Sequence, residues 1–561
     1  MRLLPIRHGP LADPLPGEGD SPDGLSSFLA AVVKDQFQAH PAAARANGDH
    51  SADGLVAAAG AGSHRERISQ LQQLQRRAAE LGDDQVPDGR LDLATAESVV
   101  ESELFSLQFR RRAFKDPTSL LDDDSPLDVG GYLLRDYAPL PDRIAGLCHQ
   151  LEQARDWTEE ALRTLEPQLA APLIQLALQG AAGHLSFLGD EVAPLGEELD
   201  DPELRRRLER AIHSGREALG RITDELERRR QPDYRDVALG EDGLRAMLLA
   251  QEGLDRSISE LRQSADDELS ALREQRDRLL QDSFQGRAIA EVRHELERDH
   301  FTAETLISGA NGLLTKLRSF AEKHAEVPIP DGPACEVRPS PGFLTAWVSA
   351  AYDGVGPLEH RRLPCIYYVT TPQPGWSEQE TDEWLRYLNR GTLENTSVHE
   401  VYPGHHVQYL YSQSLRSDVR RFFWTSGFGE GWAHYAELLM IERGLADQDS
   451  LLQLAQIEDA LVRACRFRTT LGVHAEDWPV EEGTQLFIDR IGLDELPARR
   501  EAIRSTIDPL YLVYTLGKLE ILSWREEWLR SNRGDLSSFH SLLLSAGSPP
   551  LAALGRWLLS Q

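Results

Sequence analysis

The stretch SVHEVYPGHHVQ (397–408) places three histidines and a glutamate within two helical turns or so of one another. His399 and Glu400 open the H-E-x-x-H pattern, in which two histidines one turn apart bind zinc and the glutamate acts as base. The second histidine's position holds Pro403 instead, and histidines follow only at 405 and 406. Zinc takes its ligand atoms at about 2.0–2.2 Å in a roughly tetrahedral set. In a straight helix His399 and His405 differ by about 9 Å of rise and point apart. His399 and His406 share a face but stand about 10.5 Å apart along the axis. A regular helix cannot bring these histidines onto one ion.

Proline and glycine change the geometry. Pro403 cannot donate to the carbonyl of His399, and its ring crowds that turn. Gly404 tolerates whatever backbone angles the distortion needs. Extra residues bulged from a helix commonly mark functional sites. Looping out two residues around Pro403–Gly404 brings His405 to the position of a second ligand, with His406 as the alternative. The chain carries its own control in HELERDH (294–300), which repeats the spacing at His294, Glu295 and His300 without proline or glycine. That stretch reads as an exposed helix face.

A third ligand is required. GFGEGWAHYAE (427–437) offers Glu430, His434 and Glu437 on one face of a helix opened by glycines, so one can ligate while the others orient it. Glu430 lies 25 residues after His405, as in sites where a later helix supplies the glutamate. Glu437 is the alternative.

Taken together, HEVYPGHHVQ (399–408), GEGWAHYAE (429–437), LGVHAEDW (471–478) and YLVYTLGKLEIL (511–522) resemble the bacterial family called domain of unknown function 885, from about residue 25 to the end. That family is placed among gluzincin-like zinc metallopeptidases. The resemblance implies zinc ligands at His399, His405 and Glu430, with Glu400 as general base. It matches His474 and Tyr514 to a histidine and a tyrosine of the family, candidates to support a developing oxyanion. Tyr511 is the alternative to Tyr514. The chain departs from the family pattern at Asp508-Pro509-Leu510, where Pro-Gly-Gln is expected, and at the Thr-Thr pair before His474. Those departures bear on substrate preference more than on metal binding.

The elements that must hold these residues are mostly helical. RERISQLQQLQRRAAEL (65–81), DPELRRRLERAIHSGREALGRITDELERRR (201–230) and RSISELRQSADDELSALREQRDRLLQ (256–281) repeat apolar residues every three or four positions. No fixed-period repeat marks a solenoid. EVPIPDGPACEVRPSPG (326–342) reads as a connector, and LPCIYYVTTP (363–372) as a strand, either structural or an edge able to pair with an extended peptide. The expected fold is mainly α: a large helical, two-lobed metallopeptidase-like architecture with a small β element beside the active-site helix. Its divisions would be a loose arm at 1–24, a helical lobe at 25–330 and a catalytic lobe at 331–561. Arg463, Arg466 and Arg468 are candidates to hold a substrate carboxylate.

The bulk numbers exclude some partners. The 561 residues carry 91 acidic and 60 basic side chains, a formal charge of −31 that repels phosphate backbones. Cys148, Cys335, Cys365 and Cys465 are scattered, which argues against a disulfide framework or a zinc ribbon. The N-terminus lacks the apolar core of a signal peptide, and no run approaches the about 18 apolar residues of a membrane helix. The expectation is therefore a soluble cytoplasmic zinc metallohydrolase, a peptidase acting on short peptides in a cleft between two helical lobes. Its alternatives are an amide hydrolase for a non-peptide metabolite and a non-catalytic helical binding protein with a vestigial metal site.

Overall fold

The computed structural model describes residues 24–81, 85–230, 237–345, 348–373 and 375–561. The loose arm expected at 1–24 lies outside them except for Gly24, which begins a helix running to Ala39. Helices dominate, with one three-stranded sheet among the described residues.

The chain divides into two compact units. One takes in the described residues up to 230 together with 342–345 and 355–363; the other holds 237–341, 348–354 and 364–561. The division therefore falls near 236 rather than near 330. The physical reason is the Ile258–Phe284 helix, whose apolar face, with Leu269, Leu272 and Leu279, joins one core with Leu454, Leu461 and Phe487 from the C-terminal part of the chain. The Pro-rich connector at 326–342 carries the strand Cys335–Pro339 inside the second unit, and a unit boundary falls only at its last residue, between Pro341 and Gly342.

In the first unit the Pro202–Arg229 helix, capped by Asp201, buries Leu208, Ala211, Ile212, Ala218, Leu219, Ile222 and Leu226. These are the apolar positions of its three-and-four spacing, packed into a core with Ile144, Leu147 and Ile174.

In the second unit β1 (Cys335–Pro339), β2 (Ala350–Asp353) and β3 (Cys365–Val369) form a sheet of order β1-β3-β2. β3 pairs in parallel with β1 and antiparallel with β2, Tyr352 standing opposite Tyr367. All five residues of β3 are buried. The reading of 363–372 as an edge that takes a peptide is thus corrected: β3 is the central strand, and its backbone groups are used on both sides. Its apolar, β-branched and aromatic run is the signature of burial on both faces.

Four helices frame the site. The motif helix (Arg390–Glu400) is capped by Asn389, whose Oδ1 accepts from Thr392 N at 3.0 Å. The glutamate helix (Ser426–Glu442), the long helix (Ser450–Ala475) and the Val513–Arg530 helix follow. Tyr367 Oη of β3 shares a 3.2 Å hydrogen bond with Ser397 Oγ of the motif helix, fixing the sheet against it. The control stretch is helical only in part: His294 stands exposed on the Ile289–Arg298 helix, but that helix ends before His300.

Candidate metal centre

The motif helix stops at Glu400, and a new helix, His405–Ser412, starts after Gly404. The expected two-residue bulge in a continuous helix is therefore replaced by a break and a restart. Val401 and Tyr402 N both reach back to Ser397 O, and Gly404 N donates to Val398 O at 3.0 Å. The Tyr402–Pro403 peptide is cis. A Cβ on Gly404 would lie 1.7 Å from His399 O, so only glycine fits this return of the chain. Buried Trp432 Nε1 donates to Pro403 O at 2.9 Å and pins the connection from the glutamate helix.

This turn brings together ring nitrogens that a straight helix would separate. His399 Nε2 lies 3.3 Å and His405 Nε2 3.6 Å from Glu430 Oε2, and one ligand atom from each residue falls within 4.8 Å of the others. Two ligands of a tetrahedral zinc at about 2.1 Å stand about 3.4 Å apart. Glu430 Oε2 is buried and makes no hydrogen bond among the described residues. Two imidazole nitrogens and a carboxylate oxygen, converging with that oxygen unsatisfied, fit a zinc ion in both donor type and spacing.

The outward nitrogens are held as well. His399 Nδ1 meets Glu437 Oε1 at 2.7 Å, and His405 Nδ1 meets Gln408 Oε1 at 3.1 Å. Glu437 also accepts from Asn395 Nδ2 at 3.0 Å and from Arg463, and Asn395 donates in turn to Asp459. Glu437, the alternative third ligand, thus sits on the far side of the His399 ring from Glu430. His406, the alternative second ligand, is buried, its Nδ1 3.1 Å from Tyr352 Oη and its ring beside Tyr402 and Tyr409.

Glu400 ends the motif helix next to this cluster, its Oε2 accepting from Tyr352 N of β2 at 2.9 Å. Burial raises its pKa above the ordinary carboxylate value, partly offset by the His399 and His405 charges. Burial alone would lower the His399 pKa, but Glu430 and Glu437 outweigh it and raise the group to about 9. Burial likewise works against ionised Glu430, and the two histidines overcome it, holding the carboxylate well below the usual range.

Tyr514 enters from the Val513–Arg530 helix. A Cβ on Gly431 would lie 2.6 Å from Gly517 C, and one on Gly517 would lie 2.0 Å from Gly427 O, so this helix touches the glutamate helix backbone to backbone. Gly431 follows Glu430 and Gly517 lies one turn after Tyr514, which brings the phenol within electrostatic reach of Glu430. Burial first, and then the Glu430 charge, push the phenol's pKa well above its ordinary value. Tyr511, the alternative, turns its hydroxyl to Glu501 at 3.3 Å.

His474 has a different place. It is buried on the long helix with Nε2 2.8 Å from Ser505 O, so that nitrogen serves a helix–helix bond rather than the cluster. The three arginines are also committed: Arg463 to Glu437, Arg466 to Glu501 through two bonds, and Arg468 to Glu476. Two residues near the site carried no sequence signal of their own. Trp424, 54% exposed, stands edge-on to the His405 ring at 5.7 Å. His434 was noted only as one of three residues on a face; it is fully buried, and neither ring nitrogen is hydrogen-bonded among the described residues.

The fold has solved relatives. A lipoprotein of unknown function, provisionally so named, from Shewanella oneidensis superposes with a TM-score of 0.77 at 19% identity, covering 96% of this chain and 100% of its own. A second provisionally named lipoprotein, from Colwellia psychrerythraea, gives 0.80 at 17% identity, covering 96% and 99%. At such identities the likeness is one of fold. Among curated proteins none matches the chain in sequence. Residues 41–558 match the family described as bacterial protein of unknown function, DUF885, and the chain is a member of that family.

Proposed function

We propose that the protein is a zinc-dependent metallohydrolase of gluzincin-like type, a peptidase that cleaves short peptides. The observation that carries this reading is the convergence of His399 Nε2, His405 Nε2 and the unsatisfied Glu430 Oε2 beside the Glu400 carboxylate. Zinc, when bound, supplies a Lewis acid and makes a coordinated water acidic near neutral pH. His399 and His405 keep their Nε2 lone pairs inward because Glu437 and Gln408 engage the opposite nitrogens. Glu400, steadied by Tyr352 N, accepts the water's proton at its free oxygen and returns it to the departing amine. Tyr514 donates a hydrogen bond from its phenol to the carbonyl oxygen as negative charge gathers there. A base, a phenol donor and a three-residue ligand set together match what amide hydrolysis demands.

The test begins with metal content. Elemental analysis of the wild type should give close to one zinc per chain, lost in His399→Ala and His405→Ala and kept in His406→Ala. Wild-type protein that takes up no metal after zinc loading sinks the proposal and favours a helical binding protein. Glu400→Gln should keep zinc and lose hydrolysis; full activity in that variant would remove Glu400 from the reaction. A peptide library separates a peptidase from an amide hydrolase acting on other metabolites, since the latter would leave every peptide intact.

The charge of −31 supports a partner other than nucleic acid. The reading sets the protein in the cytoplasm, supported by its four free thiols. The lipoprotein names of the two solved relatives point instead to a membrane surface, and cell fractionation decides between the two.

A further inference from the structure

Arg463, Arg466 and Arg468 are used up by carboxylates of the fold, yet another guanidinium stands on the same side chain cluster. Arg504 is exposed, and among the described residues it forms no ion pair. Its Cζ lies over the Tyr511 ring, 5.0 Å from the centroid, with Arg466 over the same ring at 4.4 Å. Tyr511 in turn meets Tyr514 edge to face at 6.0 Å, and Tyr514 is the phenol beside Glu430. Ring contacts therefore run from Tyr514, which lies within electrostatic reach of Glu430, through Tyr511 to a cation that forms no ion pair among the described residues.

The neighbours explain why this cation is available. Glu501 lies within electrostatic reach of it, and it already accepts two bonds from Arg466, at 2.7 and 2.9 Å, and one from Tyr511 Oη. Asp508 spends Oδ1 on Leu510 N. A guanidinium stacked on an aromatic ring keeps its planar fork of donors facing outward, a shape that matches a carboxylate bidentately. Tyr387, 58% exposed yet within electrostatic reach of Glu501 and Arg466, adds an aromatic wall to the same region.

We propose that Arg504 is a carboxylate subsite of the hydrolytic centre, taking the free carboxylate of a peptide whose scissile amide lies at His399, His405 and Glu430. The inference rests on the hydrolase reading for its location and on Arg504's own contacts for its chemistry. The carboxylate is either the peptide's C-terminus or an acidic side chain.

Binding, rather than turnover, tests it. Zinc-loaded Glu400→Gln protein, full length, is titrated calorimetrically with tetra-alanine, tetra-alanine amide and Ala-Ala-Glu-Ala amide. The free acid should bind about tenfold or more tightly than the plain amide, as a charge-assisted pair implies. That difference should collapse with Arg504→Ala and recover in part with Arg504→Lys, thermal melts showing both variants folded. A preference for the glutamate peptide over both others assigns the subsite to a side chain, and a preference for tetra-alanine assigns it to the C-terminus. Equal affinity for all three peptides, no binding of any, or a preference that survives Arg504→Ala overturns the proposal. If the wild type cleaves none of them while the Arg504-dependent preference holds, the hydrolase reading fails and the carboxylate subsite stands.

Discussion

Glu437 Oε1 meets His399 Nδ1 at 2.7 Å, on the side of the ring opposite the 3.3 Å approach of Nε2 to Glu430. One imidazole thus has a carboxylate on each nitrogen, and their roles differ. Among the described residues Glu430 Oε2 has no hydrogen bond, whereas Glu437 is engaged by Asn395 and Arg463. The engaged carboxylate orients; the unsatisfied one is free to ligate.

Replacing Glu437 with glutamine should therefore weaken zinc binding by about 10- to 100-fold, without abolishing it. Competition against a chromophoric chelator measures this, with His399→Ala as the reference for complete loss. Unchanged affinity in Glu437→Gln would make that contact a packing feature only.

Tyr514→Phe keeps the ring against Tyr511 and removes only the donor. The expected result is a fall in kcat of about 10²–10³-fold with KM nearly constant, because the hydroxyl acts where charge develops. A rise in KM at constant kcat would instead mark the phenol as a ground-state contact.

Gly404→Ala should cost the site its geometry, since the added methyl would overlap His399 O. Loss of most zinc binding is expected together with a lower Tm, while Gly312→Ala, at a helical glycine where nothing lies within 4 Å, is a control that no neighbour crowds. Full zinc content in Gly404→Ala would show that the chain can return by another path.

A pH effect is expected from Glu252, fully buried beneath the glutamate helix, where it accepts from Gly427 N and Leu551 N. Burial raises its pKa to about 7, and the two backbone donors offset this only in part. With the folded pKa above the unfolded value of 4.5, the folded state binds the proton more tightly. Its contribution is complete below about 4.5 and is lost as pH rises through 7, amounting to about 3 kcal/mol. Glu252→Gln should flatten that part of the stability–pH curve, so denaturant midpoints of the two proteins should converge at pH 5 and separate by pH 8.

Much of the candidate cluster was legible in the chain because its signal is local. His399, Glu400, His405 and Glu430 lie in two short stretches whose glycines and proline announce an irregular backbone. The break itself was misjudged as a bulge, since residue types show that a helix is disturbed but not whether it resumes on the same axis. The contacts of Asn395 and Arg463 with Glu437, and of Asn395 with Asp459, were out of reach for another reason: each is an ordinary polar residue on a helix, and only packing brings them together. His474 looked functional by type and neighbourhood, yet a buried histidine is as readily satisfied by a carbonyl such as Ser505 O. The strand at 363–372 was found, but its apolar run reports burial and is silent on which strands flank it.

The helix break between Glu400 and His405 has a mechanical consequence. In a site built on one continuous helix the two histidines already belong to a single rod, and an ion merely decorates it. Here they are mounted on separate rods joined by a short elbow, so an ion bound to both acts as a clasp. Its removal would take away the tie between the two rods, leaving the elbow to the Trp432 bond at Pro403 and the His405–Ser412 rod to its own contacts such as His406 with Tyr352. Stripping the metal should then loosen residues 401–412 ahead of the rest of the unit, and faster amide exchange confined to that elbow and rod would be its signature.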